Sequence, residues 1–126
     1  NKVLLVREAD DGGWSLPGGW VDVGDSPSGA VCREVWEETG LEVISKRLIG
    51  VWDRNQHDHP PYPWHVYKLF FHCEEAGGEL RTSDEATDVA FFSLDDLPEL
   101  SLTRVVPEEI FTSVRIIQEG SAPWCD

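Results

Sequence analysis

Glu34, Glu37 and Glu38 crowd three carboxylates into five successive positions of a 126-residue chain whose formal net charge is already −14. At about 100° per residue, a helix would place all three within a ~100° arc of one face. Such a face repels itself, and two outcomes fit it. Acidic arcs are most often solvated surface. Alternatively the arc receives a cation, and clustered carboxylate oxygens are what hard divalent ions such as Mg²⁺ prefer. The preceding residues tip the reading toward the cation. Asp22 and Asp25 add further acid, and Gly18-Gly19 gives a rigid approach with a free backbone carbonyl, which a plain surface helix does not need. Ala30, one turn earlier on the arc, leaves room for something to approach. Arg33 lies four residues before Glu37, where it can pair with it and steer it. Cys32, Val35 and Thr39 occupy the adjoining arc, which should face the core.

Holding these groups in place requires a helix with fixed ends. Ser26 suits the N-cap, Pro27 the first helical position and Gly40 the residue just past the end. Gly29 weakens the first turn, so packing must support it. Upstream, "KVLLVRE" reads as a strand, "DDGG" as a turn and "WSL" as a short extended piece stopped by Pro17. Downstream, "LEVISKRLIGVWD" is β-rich, as two segments or one long bent strand. Residues 54–63 are a loop by composition. Residues 64–74 form the strongest strand pattern, with Val66, Phe70 and His72 on one side and Tyr67, Leu69, Phe71 and Cys73 on the other, so burial is expected on much of both faces. "GGEL" marks a turn into a short edge piece, and residues 89–94 give another strand. A second helix is expected over residues 103–119, with Ile110, Val114, Ile117 and Phe111 as its apolar stripe. No repeat or low-complexity tract interrupts this order. The outcome is an α/β fold, a mixed sheet flanked by helices.

The bulk composition narrows the function classes. The length is that of one domain, residues 1–126. Asp plus Glu outnumber Lys plus Arg by 24 to 10, which argues against a sequence-independent grip on a nucleic acid polymer. An acidic protein that handles anionic substrates needs bound cations as intermediaries. Cys32, Cys73 and Cys125 are widely spaced and odd in number, so neither a disulfide framework nor a zinc pattern is indicated, and a reduced, cytoplasmic setting is the expectation. No apolar run is long enough to span a membrane. The abrupt start at "NKVLLVRE" and the absence of Met lead to the expectation that a strand or small helical domain precedes residue 1.

Gly19, five residues, Asp25, seven residues, then Arg33-Glu34-Val35-Trp36-Glu37-Glu38-Thr39-Gly40-Leu41 follows the spacing of a known signature. The segment resembles that of the Nudix hydrolases, departing from it only at Asp25, where the family usually has Glu. The likeness extends to the strand before the box, to "LPGG" and to "FFSLDDLP" beyond the sheet. It implies a Nudix α/β/α sandwich with the signature helix beside a mixed sheet. It also implies that Glu34, Glu37 and Glu38, helped by the Gly18 carbonyl, hold Mg²⁺ or Mn²⁺, with Arg33 orienting Glu37. Asp25 keeps the charge on a shorter side chain, as a direct ligand or as support to one. The family often adds an acid from a loop beyond the sheet, and Glu85, six residues before Phe91, is the candidate here; a solvated loop Glu is the competing reading.

By the same resemblance the reaction is hydrolysis of a nucleoside diphosphate linked to another group, and "LPGGWVDVGDSP" with its downstream partners resembles the ADP-ribose and CDP-choline pyrophosphatases. Diphosphate oxygens repel a nucleophile, so bound metal ions that neutralise them and supply hydroxide at neutral pH fit the chemistry. Positioning and charge stabilisation then carry phosphoryl transfer, with Glu38 or Glu85 as general base. Specificity should lie in loops. Trp20 beside the glycine pair, and Asp53, Arg54 and His57 in the loop after the long strand, are the candidate substrate contacts: aromatic rings stack on bases and Arg or His meets phosphate. Two alternatives stay open, a (deoxy)nucleoside triphosphate pyrophosphohydrolase and a non-catalytic Nudix-like binding module. Family members are often dimers, which leaves a homodimer open.

Overall fold

The computed structural model describes residues 2–126. Strand β1 (Lys2–Glu8) carries an apolar run in which consecutive Leu5 and Val6 are both fully buried, so both of its faces are covered. Its antiparallel neighbours are β2 (Trp14–Ser15) and β5 (Ala86–Ser93), giving the order β2-β1-β5. Helix α1 (Pro27–Thr39) follows β2 and leads directly into β3 (Leu41–Asp53). β3 pairs antiparallel with β4 (Tyr67–Gly78) and parallel with the short C-terminal β6 (Trp124–Cys125), so this second sheet is mixed, in the order β4-β3-β6. Helix α2 (Pro107–Glu119) completes the set. The fold is α/β, mixed sheets flanked by two helices, as the sequence implies.

β3 is the long bent strand rather than two segments. Its register against β4 shifts between Glu42 and Val43, Ser45 and Arg47, and Leu48 and Gly50, and each bulge adds twist. Gly50 permits a close approach: a Cβ there would lie 2.8 Å from Trp52 Nε1 and 3.3 Å from Trp124 Cβ. Trp52, fully buried, stacks on Trp124 with ring centroids 5.1 Å apart. A core of Leu5, Val105 and Ile110, joined by Val3, Trp14, Leu16, Phe70 and Phe92, ties β1 to α2.

Four expectations need correction. β4 starts at Tyr67 rather than residue 64, because Pro60, Pro61 and Pro63 just upstream cannot donate to a ladder. Nor is it buried on both faces: Tyr67 is 64% and Leu69 40% exposed. No strand forms between Gly78 and Ala86, where the edge piece was expected. α2 begins at Pro107, since the Pro disfavours helix in the residue before it, and Val106 is extended. Its buried positions are Glu109, Ile110, Thr112 and Ile116, while Phe111 is 46% exposed. The buried Glu109 is matched from β4: Lys68 Nζ lies 2.6 Å from it and also donates to the Arg104 carbonyl.

Candidate active site

α1 is delimited by the residues its sequence marks for that purpose. Ser26 is extended, and its hydroxyl accepts the Gly29 N–H at 3.0 Å. Pro27 opens the helix, and Gly40 ends it at φ 80°, returning its N–H to the Trp36 carbonyl. Val35 and Thr39 face inward as expected, but so does Ala30, at 3% exposure. Ala30 therefore packs into the protein instead of making room for a ligand. The acidic arc itself is graded. Glu37 is exposed, Glu34 is largely covered, and Glu38 is only 7% exposed.

Glu38 is held from the glycine approach. Gly18 donates its N–H to Glu38 Oε1 at 3.2 Å, so it is the amide of Gly18, more than its carbonyl, that meets the helix. Gly19 lets the loop pass close to the helix, since a Cβ there would lie 3.0 Å from the Glu34 carboxyl and require it to shift. Burial pushes the Glu38 carboxyl up to about 8; the Gly18 N–H opposes this, while a hydrogen bond with Glu34 and the charges of Glu8 and Glu34 add to it. Glu38 is thus the more deeply covered member of an acidic pair with Glu34, and its carboxyl favours the protonated form.

Arg33 departs from its expected partner. Its guanidinium lies 3.1 Å from Asp25, 3.4 Å from Asp22 and 3.5 Å from Glu34, and makes no ion pair with Glu37. The loop over residues 18–26 brings two aspartates alongside the helix, and these with Glu34 outcompete the exposed Glu37. Asp25 accordingly engages Arg33. Glu85 joins the ridge from the other side: Glu37, Glu38, Ser83, Asp84 and Glu85 line one cavity of about 280 Å³.

Glu8 was not anticipated. It ends β1 on the same face as buried Val6, and that alternation was the available signal. Ser15 donates to it at 2.6 Å and Arg104 Nε lies 3.4 Å away, yet burial still raises its carboxyl.

The expected substrate contacts divide. Trp20 is 64% exposed on the loop before α1, next to the ridge. Asp53, Arg54 and His57 are gathered at the far end of β3, apart from the helix that opens that strand. Asp53 accepts the Asn55 N–H at 3.0 Å and meets His65 at 3.0 Å. Arg54 is 4% exposed, giving Nε to the Thr103 carbonyl and Nη1 to the Pro60 carbonyl, with Tyr62 over its guanidinium. His57 Nε2 pairs with Asp126 at 2.7 Å. Arg54 and His57 hold loop and C-terminal segment together, with only the buried Nη2 of Arg54 left without a partner.

The donor set suits an oxygen-seeking divalent ion. Among the described residues no three acid, His or Cys side chains already converge on one point. Yet the covered Glu38 carboxyl is raised partly by the charge of Glu34, a repulsion that a cation would relieve, and Gly19 presents no side chain to the Glu34 carboxyl. Glu34 and Glu38 fit the ion directly, with Glu37 beside them.

Comparison with known proteins bears on the family and the fold. The NUDIX domain model matches residues 1–112. YjhB of Bacillus subtilis (strain 168) is 44% identical over 110 residues, covering 87% of this chain and 53% of that protein. A UDP-X diphosphatase structure superposes with a TM-score of 0.92 at 33% identity, covering 99% of this chain and 61% of that one. The structure of an ADP-ribose pyrophosphatase from Streptococcus suis 89-1591 does so with a TM-score of 0.89 at 39% identity, covering 99% and 90%. The chain therefore spans 53% of the curated relative and 61% of the UDP-X diphosphatase chain.

Proposed function

The chain belongs to the Nudix family, and on that premise we propose that it is a divalent-metal-dependent hydrolase cleaving the pyrophosphate bond of a nucleoside diphosphate linked to another group, of the ADP-ribose or CDP-choline type. The observation that carries the proposal is the covered Glu38, beside Glu34 on the helix, facing Glu85 across one cleft. The similarity to an ADP-ribose pyrophosphatase and to a UDP-X diphosphatase supports a nucleoside diphosphate as the common part of the substrate.

Glu34, Glu38 and Glu37 would hold Mg²⁺ or Mn²⁺, which when bound neutralises the diphosphate oxygens and lowers the pKa of water. The chain's own residues do the rest. The Gly18 N–H fixes one oxygen of Glu38 and leaves the other without that bond. Arg33, held by Asp22 and Asp25, pairs with Glu34 and orients it. Glu38 or Glu85 takes the proton from the attacking water, both being on the wall of the cleft. Trp20, exposed beside Gly19, offers a face on which a base can stack.

Product analysis tests this. Incubating ADP-ribose, CDP-choline, UDP-sugars and nucleoside triphosphates with Mg²⁺ or Mn²⁺ should yield two monophosphates from a member of the first three classes. Pyrophosphate release from triphosphates alone would assign the chain to triphosphate clearance instead. Tight binding without turnover of any of them would make it a binding module.

A further inference from the structure

Asp84 and Glu85 face Glu37 and Glu38 across the cleft, so four acids oppose one another on its two walls. Nothing in that charge pattern draws the loop over residues 79–85 toward α1; it should be driven away. Arg81 is the only cation between Glu79 and Asp88. We propose that Arg81 and Trp36 form a clamp that holds this loop against the end of α1 and so places Glu85 over the acidic ridge. The proposal deepens the hydrolase reading and rests on it for the role of Glu85.

Each contact is on the loop or on the last turn of the helix. The Arg81 N–H donates to the Thr39 carbonyl at 2.8 Å, and Nη2 donates to the Trp36 carbonyl at 3.0 Å. Both carbonyls belong to the last turn of a helix, where a cation is favoured; the Thr39 carbonyl has no intrahelical partner, and the Trp36 carbonyl takes this bond in addition to the Gly40 N–H. The guanidinium also lies over the Trp36 ring, 4.7 Å from its centroid. Trp36 remains 49% exposed, and this stacking gives a solvent-facing tryptophan a role. Gly40 lets the loop come this close: a Cβ there would run into the Glu79 carbonyl and lie 2.6 Å from Arg81 Cγ. Beyond Arg81 the loop is closed by Ser83, whose N–H meets the Ala86 carbonyl at 2.9 Å and whose hydroxyl accepts the Ala86 N–H at 3.0 Å. The Glu85 carbonyl is fixed in turn by the Ala9 N–H at 3.0 Å. With the loop pinned on both sides, the position of Glu85 follows from the grip of Arg81 on α1.

Arg81 is thus a positioning residue that acts through Glu85. Arg81→Ala should lower kcat about 10- to 100-fold, as displacement of a catalytic group by an ångström does, with KM changed by less than about twofold. Trp36→Ala should reproduce the loss and Trp36→Phe should largely avoid it. In a Glu85→Gln background, Arg81→Ala should cost nothing further. Amide hydrogen exchange of residues 82–86 should quicken in Arg81→Ala whether or not a substrate has been found. Unchanged exchange there would overturn the clamp. An equal kcat loss with and without Glu85 would overturn its action through that residue. If exchange quickens while Glu85→Gln alone leaves turnover intact, the clamp stands and the assignment of Glu85 in the hydrolase reading falls.

Discussion

At Glu38, burial and the neighbouring acids push the same way, and only the Gly18 N–H opposes them. A carboxyl at 7% exposure beside a second carboxyl keeps its proton up to about pH 8, whereas in the unfolded chain it loses that proton near the ordinary value of 4.5. The folded value being the higher one, the contribution of Glu38 to stability is fully present below about 4.5 and is lost as pH rises through about 8. Metal-free protein should accordingly show a thermal midpoint that falls between pH 5 and 9 more steeply than that of Glu38→Gln, whose neutral amide has no proton to lose. Parallel pH profiles for the two proteins would contradict this. The same proton must leave when a cation binds, so metal affinity should rise over that interval. The run of three Glu made the ridge legible in the sequence, but not its grading. Which carboxylate is covered depends on Gly18 folding back onto Glu38, a contact between residues 20 apart. Arg33 misleads in the same way: its helical spacing from Glu37 is real, yet Asp22 and Asp25 are brought closer by a loop whose path no periodicity encodes.

Among the elements, α1 was the most legible because its ends are written in local chemistry. Ser26, Pro27 and Gly40 act through their own backbone and nearest turns, with no tertiary partner required. Ser26→Ala should cost about 1 kcal/mol of stability, the usual worth of an N-cap hydroxyl. Gly40→Ala should cost more, since it adds the left-handed backbone penalty to a collision with the Glu79 carbonyl. Urea unfolding of both variants checks the order, and a smaller loss at Gly40 would contradict it. α2 was less well placed. Val105 and Val106 look like a first helical stretch, but Pro107 forces its predecessor out of helical geometry, and both valines enter the core ahead of the helix, Val106 as extended chain. β6 could not be read at all. Two exposed residues carry no periodicity, and their strand exists because Trp124 stacks on Trp52 over Gly50.

Across the molecule, the two sheets divide the work. The β2-β1-β5 sheet packs on α2 and sends Glu8 and the Glu85 loop toward the ridge, while β3 carries α1 at its start and the Arg54–His57 cluster at its end. The class of fold was legible from the order of strands and helices. The split of candidate contacts between the two ends of β3 was not, because a 13-residue strand separates in space what composition groups together. On the proposed reading the acidic ridge is the working centre and would depend on divalent ions. Its most direct test is a Mn²⁺ titration at pH 8.5, followed by electron paramagnetic resonance, of the wild-type chain and of Glu34→Gln/Glu38→Gln. The account predicts uptake by the wild type and an affinity lower by at least about tenfold in the double variant. Equal binding by both proteins, or none by the wild type, would contradict it.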